Sequence, residues 1–87
     1  MLPVVHLGDV LEGSHGGTVT GASGPLVADG RPVACVGDAV WCFLHGAQTI
    51  ATGSAKLSVG GRPVAVHGSL CSCGATLISS GSVLNLP

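Results

Sequence analysis

Hydrophobic residues in this chain come in short bursts, each cut off after a few positions by glycine or proline. That punctuation destroys any 3.6-residue period, so no amphipathic helix is predicted beyond a turn or two. Bursts of Val, Thr, Ile and Leu predict strands at 18–20, 25–28, 48–51, 55–59, 75–78 and 82–85. The run Lys56-Leu57-Ser58-Val59 alternates polar and apolar, as a strand with one wet and one buried face does. Asp29-Gly30 and Gly60-Gly61 tolerate the positive φ of tight hairpin turns, and each is followed by Arg-Pro-Val-Ala. Looser turns are expected at 22–24, 53–54 and 81–82. The pattern predicts an all-β body of short strands.

The pattern also repeats. Pro3-Val4-Val5-His6-Leu7-Gly8-Asp9 returns as Pro32-Val33-Ala34-Cys35-Val36-Gly37-Asp38 and again as Pro63-Val64-Ala65-Val66-His67-Gly68-Ser69. A unit of about thirty residues cannot bury its own apolar face, so the copies must pack on one another. Three copies suggest a closed, pseudo-threefold body, with repeats at 3–31, 32–62 and 63–87 forming one domain over 1–87. Each unit reads as a Pro-led strand, a Gly-Asp or Gly-Ser loop, a strand, a turn, a strand and a hairpin. The second halves also correspond, at His15-Gly16, His45-Gly46 and Cys73-Gly74. Units two and three align there without a gap, while unit one needs a one-residue deletion.

Composition sharpens this picture. The chain has 87 residues, 46% of them hydrophobic and 8% charged, with 15 glycines that add to the entropy folding must overcome. So small and glycine-rich a domain needs a staple: a disulfide, a metal or a partner surface. A net charge of −1 offers no basic patch for a phosphate backbone, which excludes nucleic-acid binding as the expected role. The apolar runs are too short to cross a bilayer as helices. Residues 1–7 lack a basic segment and an apolar core of signal-peptide type, so synthesis and folding in the cytoplasm are expected. Its reducing conditions favour free thiols or metal ligands for Cys35, Cys42, Cys71 and Cys73.

His15, His45 and Cys73 occupy one repeat-equivalent position, so a shared axis would bring them together. Three N and S donors need a fourth for tetrahedral zinc. His67, which replaces the apolar Leu7 and Val36 of its sister units, is one candidate. Cys42, in a Cys42-x-x-His45 step, is the other. Four protein ligands leave no open position, which makes such an ion structural, and its binding energy becomes folding energy. Among the remaining residues, His6 is expected as solvated surface and Cys35 as a small buried side chain. Asp9 and Asp38 are expected to cap loops, and Trp41 and Phe43 to cover a core edge.

The degenerate Pro-Val-Ala-x-x-Gly-Asp units, the His15-Gly-Gly loop, Cys42-x-x-His45-Gly and Cys73-Gly-Ala-Thr-Leu-Ile-Ser together resemble the PAAR-repeat proteins of bacterial type VI secretion. The resemblance runs over essentially the whole chain, although no copy keeps the arginine of the Pro-Ala-Ala-Arg tetrad. It implies a β-rich cone whose base caps the trimeric VgrG spike, one copy per trimer, and whose apex punctures membranes without chemistry. It also implies one Zn2+ near the apex, held by three histidines and one cysteine. By repeat phase these are His15, His45, His67 and Cys73, with Cys42 as the alternative fourth ligand. Export by the secretion apparatus is implied as well, with any effector a separate protein because the chain has no room for a fused one. The competing reading is a small zinc-dependent hydrolase with Glu12 as base.

Overall fold

The computed structural model describes residues 2–12, 16–22 and 24–86. The strands are β1 (Leu2–Pro3), β2 (Val10–Leu11), β3 (Gly17–Val19), β4 (Val27–Ala28), β5 (Arg31–Pro32), β6 (Ala39–Cys42), β7 (Gly46–Thr49), β8 (Ser54–Val59), β9 (Arg62–Val64), β10 (Leu77–Ile78) and β11 (Asn85–Leu86). No helix occurs among the described residues. The main sheet is antiparallel, in the order β10-β2-β3-β6-β7, and three two-stranded pairs (β1 with β11, β4 with β5, β8 with β9) complete the all-β fold.

Local chemistry sets the hairpins. Asp29 (φ 57°) and Gly30 (φ 76°) form the turn that pairs Ala28 with Arg31, and Gly60 (φ 60°) and Gly61 (φ 82°) pair Val59 with Arg62. Two successive positive φ values match the right-handed twist of the flanking strands. The loose turn expected at 22–24 includes residue 23, which lies outside the described residues.

The three Pro-led segments bond to one another in closed sets. Val5 N–H donates to Ala65 C=O at 2.9 Å, Ala65 N–H to Ala34 C=O at 2.9 Å, and Ala34 N–H back to Val5 C=O at 2.8 Å. A second set runs outside it: Leu7 N–H to Pro32 C=O, Val36 N–H to Pro63 C=O and His67 N–H to Pro3 C=O, each 2.9 Å. Proline has no N–H to satisfy, so it can occupy a position that only accepts. Single bridges Val4–Val66, His6–Val33 and Cys35–Val64 likewise join each unit to the other two.

Each Pro-led segment then turns at a glycine of φ near 90° (Gly8, Gly37, Gly68). The next residue closes the turn with its side chain. Asp9 Oδ2 accepts from His6 N–H at 2.8 Å, Asp38 Oδ2 from Cys35 N–H at 2.8 Å, and Ser69 Oγ from Val66 N–H at 3.0 Å. Both aspartates therefore cap their loops as expected. Each also takes the arginine of the following hairpin, Arg31 Nη1 to Asp9 at 3.2 Å and Arg62 Nη1 to Asp38 at 3.0 Å. Neutral Ser69 has no charge to balance.

Burial follows the repeat in two layers. One core holds Val5, Ala34 and Ala65 with Leu11, Val40 and Cys71, and with Val19, Ile50 and Leu77. The other holds Val4, Val33 and Val64 with Cys35 and Val66. His6 stands where the sister units place Cys35 and Val66, and it is fully buried, which corrects the expectation of a solvated surface histidine. The backbone dictates the inward direction, and a polar side chain there must find partners inside. Cys35 is buried as expected. The repeat alignment is also corrected. Gly8 N–H, Gly37 N–H and Gly68 N–H donate to Val19, Ile50 and Leu77 C=O. Counted back from these, the stretch after His45 is one residue longer than that after Cys73, so unit two carries the extra residue.

Candidate metal centre

Strand β6 alternates exposed and buried positions, which turns Trp41 outward and Cys42 fully inward. The turn at 43–45 then reverses the chain, and Gly46 (φ 81°) pairs back onto Cys42 to start β7. This reversal brings His45 over Cys42: Cys42 Sγ and His45 Nδ1 lie 3.6 Å apart. Cys73 arrives from the third unit. Cys71 bridges to Ile50, and the following turn is closed by Gly74 N–H to Cys71 C=O and Cys71 N–H to Ala75 C=O, both 2.9 Å. Ser72 fastens that turn to β7, its N–H donating to Thr49 C=O at 2.7 Å and its Oγ–H to Gln48 Oε1 at 2.7 Å.

Cys42, His45 and Cys73 thereby place one donor atom each within 4.8 Å of one another, at graded depth: Cys42 buried, Cys73 half-buried, His45 exposed. The donor set fits a borderline-soft cation. Donors at ~2.3 Å (sulfur) and ~2.05 Å (nitrogen) from a tetrahedral zinc stand about 3.6 Å apart, which is the Cys42–His45 spacing. Two thiolates and an imidazole would neutralise a divalent ion, and the site opens to solvent on the His45 side.

Of the remaining sequence candidates, the structure places His67 elsewhere. His67 is exposed, and its Nδ1 accepts from Ser79 N–H at 3.1 Å; it is not a member of the group. His15 lies outside the described residues. No carboxylate among the described residues joins the group either. Trp41 and Phe43, expected over a core edge, are 47% and 71% exposed and flank the site with Leu44. The pairing of Cys42 with Cys73 had a signal in the sequence: each lies four residues beyond its turn-closing Asp38 or Ser69.

A second polar constellation was not foreseen. The buried His6 ring lies between two carboxylates, Nδ1 3.1 Å from Asp9 Oδ2 and Nε2 2.9 Å from Asp29 Oδ2. Ser80 Oγ–H donates to Asp9 Oδ1 at 2.8 Å, and Asp29 receives Ser82 Oγ–H and Val83 N–H. Burial works against ionisation of Asp9, yet hydrogen bonds from His6 and Ser80 outweigh it and hold the carboxyl below its ordinary range. The bonds from Ser82 and Val83 do the same for exposed Asp29. Burial, then the neighbouring Asp38, pushes the Cys35 thiol up. These bonds stitch residues 80–83 to the first unit.

Compared with known families, residues 7–79 match the PAAR motif. The chain belongs to the PAAR motif family, whose members are generally components of the type VI secretion spike tip. No curated protein matches the chain.

Proposed function

We propose that this chain is a non-enzymatic tip that caps a trimeric VgrG-type spike, one copy per trimer, sharpening it for membrane puncture with a part in effector delivery. The observation that carries the reading is the closed set of bonds among Val5, Ala34 and Ala65. Contacts repeated in cyclic order among three units support a pseudo-threefold body, and such a body can match a threefold partner with a single copy. Repeats 3–31, 32–62 and 63–87 of one domain would then form a cone, with the metal group at its apex and short strand edges at its base available to extend the partner's sheets.

In this reading one structural zinc pins the apex. Cys42, His45 and Cys73 hold it, favoured over His67 by the donor spacing, and His15 supplies the fourth donor on its place in the repeat. When bound, the ion contributes folding energy and rigidity, not chemistry. A zinc-dependent hydrolase would need an open coordination position, and a fourth protein donor leaves none. Family membership also supports export from a bacterial cytoplasm by the type VI apparatus.

Native mass spectrometry of the purified chain mixed with a purified spike trimer tests the proposal. One chain per trimer is the expected product; three per trimer, or no complex, would overturn it.

A further inference from the structure

We propose that Cys71 and Cys73 form a thiol–disulfide pair that controls whether the neighbouring group can hold metal. The control rests on the metal reading above, whereas the disulfide stands on geometry alone. The two Sγ atoms lie 3.1 Å apart, and both are free thiols. A disulfide bond is ~2.0 Å long, so closure requires a shift of about 1 Å. Cys71 is buried at 2% exposure and Cys73 is half-buried. An oxidant from solvent therefore meets Cys73 first, with Cys71 behind it as the resolving thiol. The same turn bonds that deliver Cys73 to the metal group hold the two sulfurs together.

Cys73 cannot serve both partners. A metal takes its sulfur as thiolate, and a disulfide removes that charge. Once Cys73 is bridged to Cys71, the described group retains only Cys42 and His45. With diamide as oxidant, the Cys73 sulfur adds to the N=N bond; the Cys71 sulfur then attacks the Cys73 sulfur and expels the hydrazine. Two S–H bonds break, one S–S bond forms, and diamide leaves with two electrons and two protons. In the metal-bound state a sulfur–metal bond breaks in place of one S–H bond, and solvent supplies the missing proton.

The test treats the full chain, zinc-loaded and zinc-free, with diamide. It follows released zinc with a chromophoric chelator and maps disulfides by peptide mass. The expected result in both samples is loss of two hydrogens from the peptide carrying Cys71 and Cys73, with zinc released from the loaded one and rebound after reduction. Cys71→Ala, with Cys71→Val as a second variant should the first lose its native circular dichroism, should bind zinc normally. Under diamide its Cys73 peptide should carry a diamide adduct in place of the loss of two hydrogens, for want of the resolving thiol. A bridge to Cys42 instead, or a diamide adduct that persists at Cys73 in the unaltered chain, overturns the proposal. A chain that takes up no zinc overturns the metal reading and the control with it, and leaves the disulfide to be judged on the zinc-free sample.

Discussion

The amide of Val5 donates to the carbonyl of Ala65 at 2.9 Å, joining residues from the first and last units of the chain. Ala34 completes the circuit, so the stability of any one unit depends on the other two. Short strands that are marginal alone thereby become mutually obligatory. The turn that follows each member of the circuit makes this dependence measurable.

Removal of the turn-closing side chains should cost stability in the order Asp9, Asp38, Ser69. Asp9→Ala breaks contacts with His6, Arg31 and Ser80 and should cost about 3–5 kcal/mol, the range for breaking a buried charge pair. Asp38→Ala loses charged hydrogen bonds and should cost about 2–3 kcal/mol, while Ser69→Ala loses one neutral bond, about 1 kcal/mol. Urea denaturation of the three variants gives the ranking. Equal losses would mean that the ion pairs add nothing to the turns.

Stability should fall at both ends of the pH scale. The carboxyl of Asp9 lies below its ordinary range in the folded state. Its contribution is therefore complete above the unfolded value, near ~4, and is lost as pH falls through the folded one. Cys35 has the opposite sense. Its raised thiol contributes stability below the ordinary thiol range of ~8.5, lost as pH climbs toward the folded value. Asp9→Asn should flatten the acid limb and Cys35→Ala the alkaline limb, read as the urea midpoint against pH.

Gly17 should tolerate no side chain. At φ 126° its Cβ would stand 1.9 Å from Trp41 C=O, on β6, where Gly17 pairs with Cys42. Gly17→Ala should cost several kcal/mol (about 4 or more), a value reached only by gross steric conflict. Gly60→Ala, with open space around the position, should cost only about 1–2 kcal/mol for its left-handed backbone. Thermal melts of the two variants should differ widely; similar melts would contradict the packing of β3 on β6.

Chelation should lower the melting temperature of the zinc-loaded chain and leave Cys73→Ser unchanged, because that variant has no ion to lose. His67→Ala should keep its zinc. Circular dichroism with and without chelator checks both. Loss of zinc in the His67 variant would return that histidine to the ligand set.

Much of this fold was legible in the chain. The hairpin dipeptides fixed two turns because positive φ restricts which residues fit. Repeated Gly-Asp steps marked the capped loops, and Cys42-x-x-His45 marked two of the three grouped donors. Strand limits were less legible: the burst at 75–78 yields only Leu77–Ile78, since bonds across units, not propensity, decide where such short strands pair. The burial of His6 is illegible for a related reason. A histidine in a glycine-rich stretch looks solvated until the inward direction of its sister residues Cys35 and Val66 is applied to it. Its ring partner Asp29 is far away in sequence, and no local pattern connects the two.

X-ray absorption at the zinc edge, combined with metal content of the purified chain, addresses the convergence of the units on a common ion most directly. The prediction is one zinc per chain with a mixed sulfur and nitrogen shell that loses sulfur in Cys42→Ser and binding in Cys73→Ser. A metal-free chain, or an ion surrounded by oxygen alone, would contradict it.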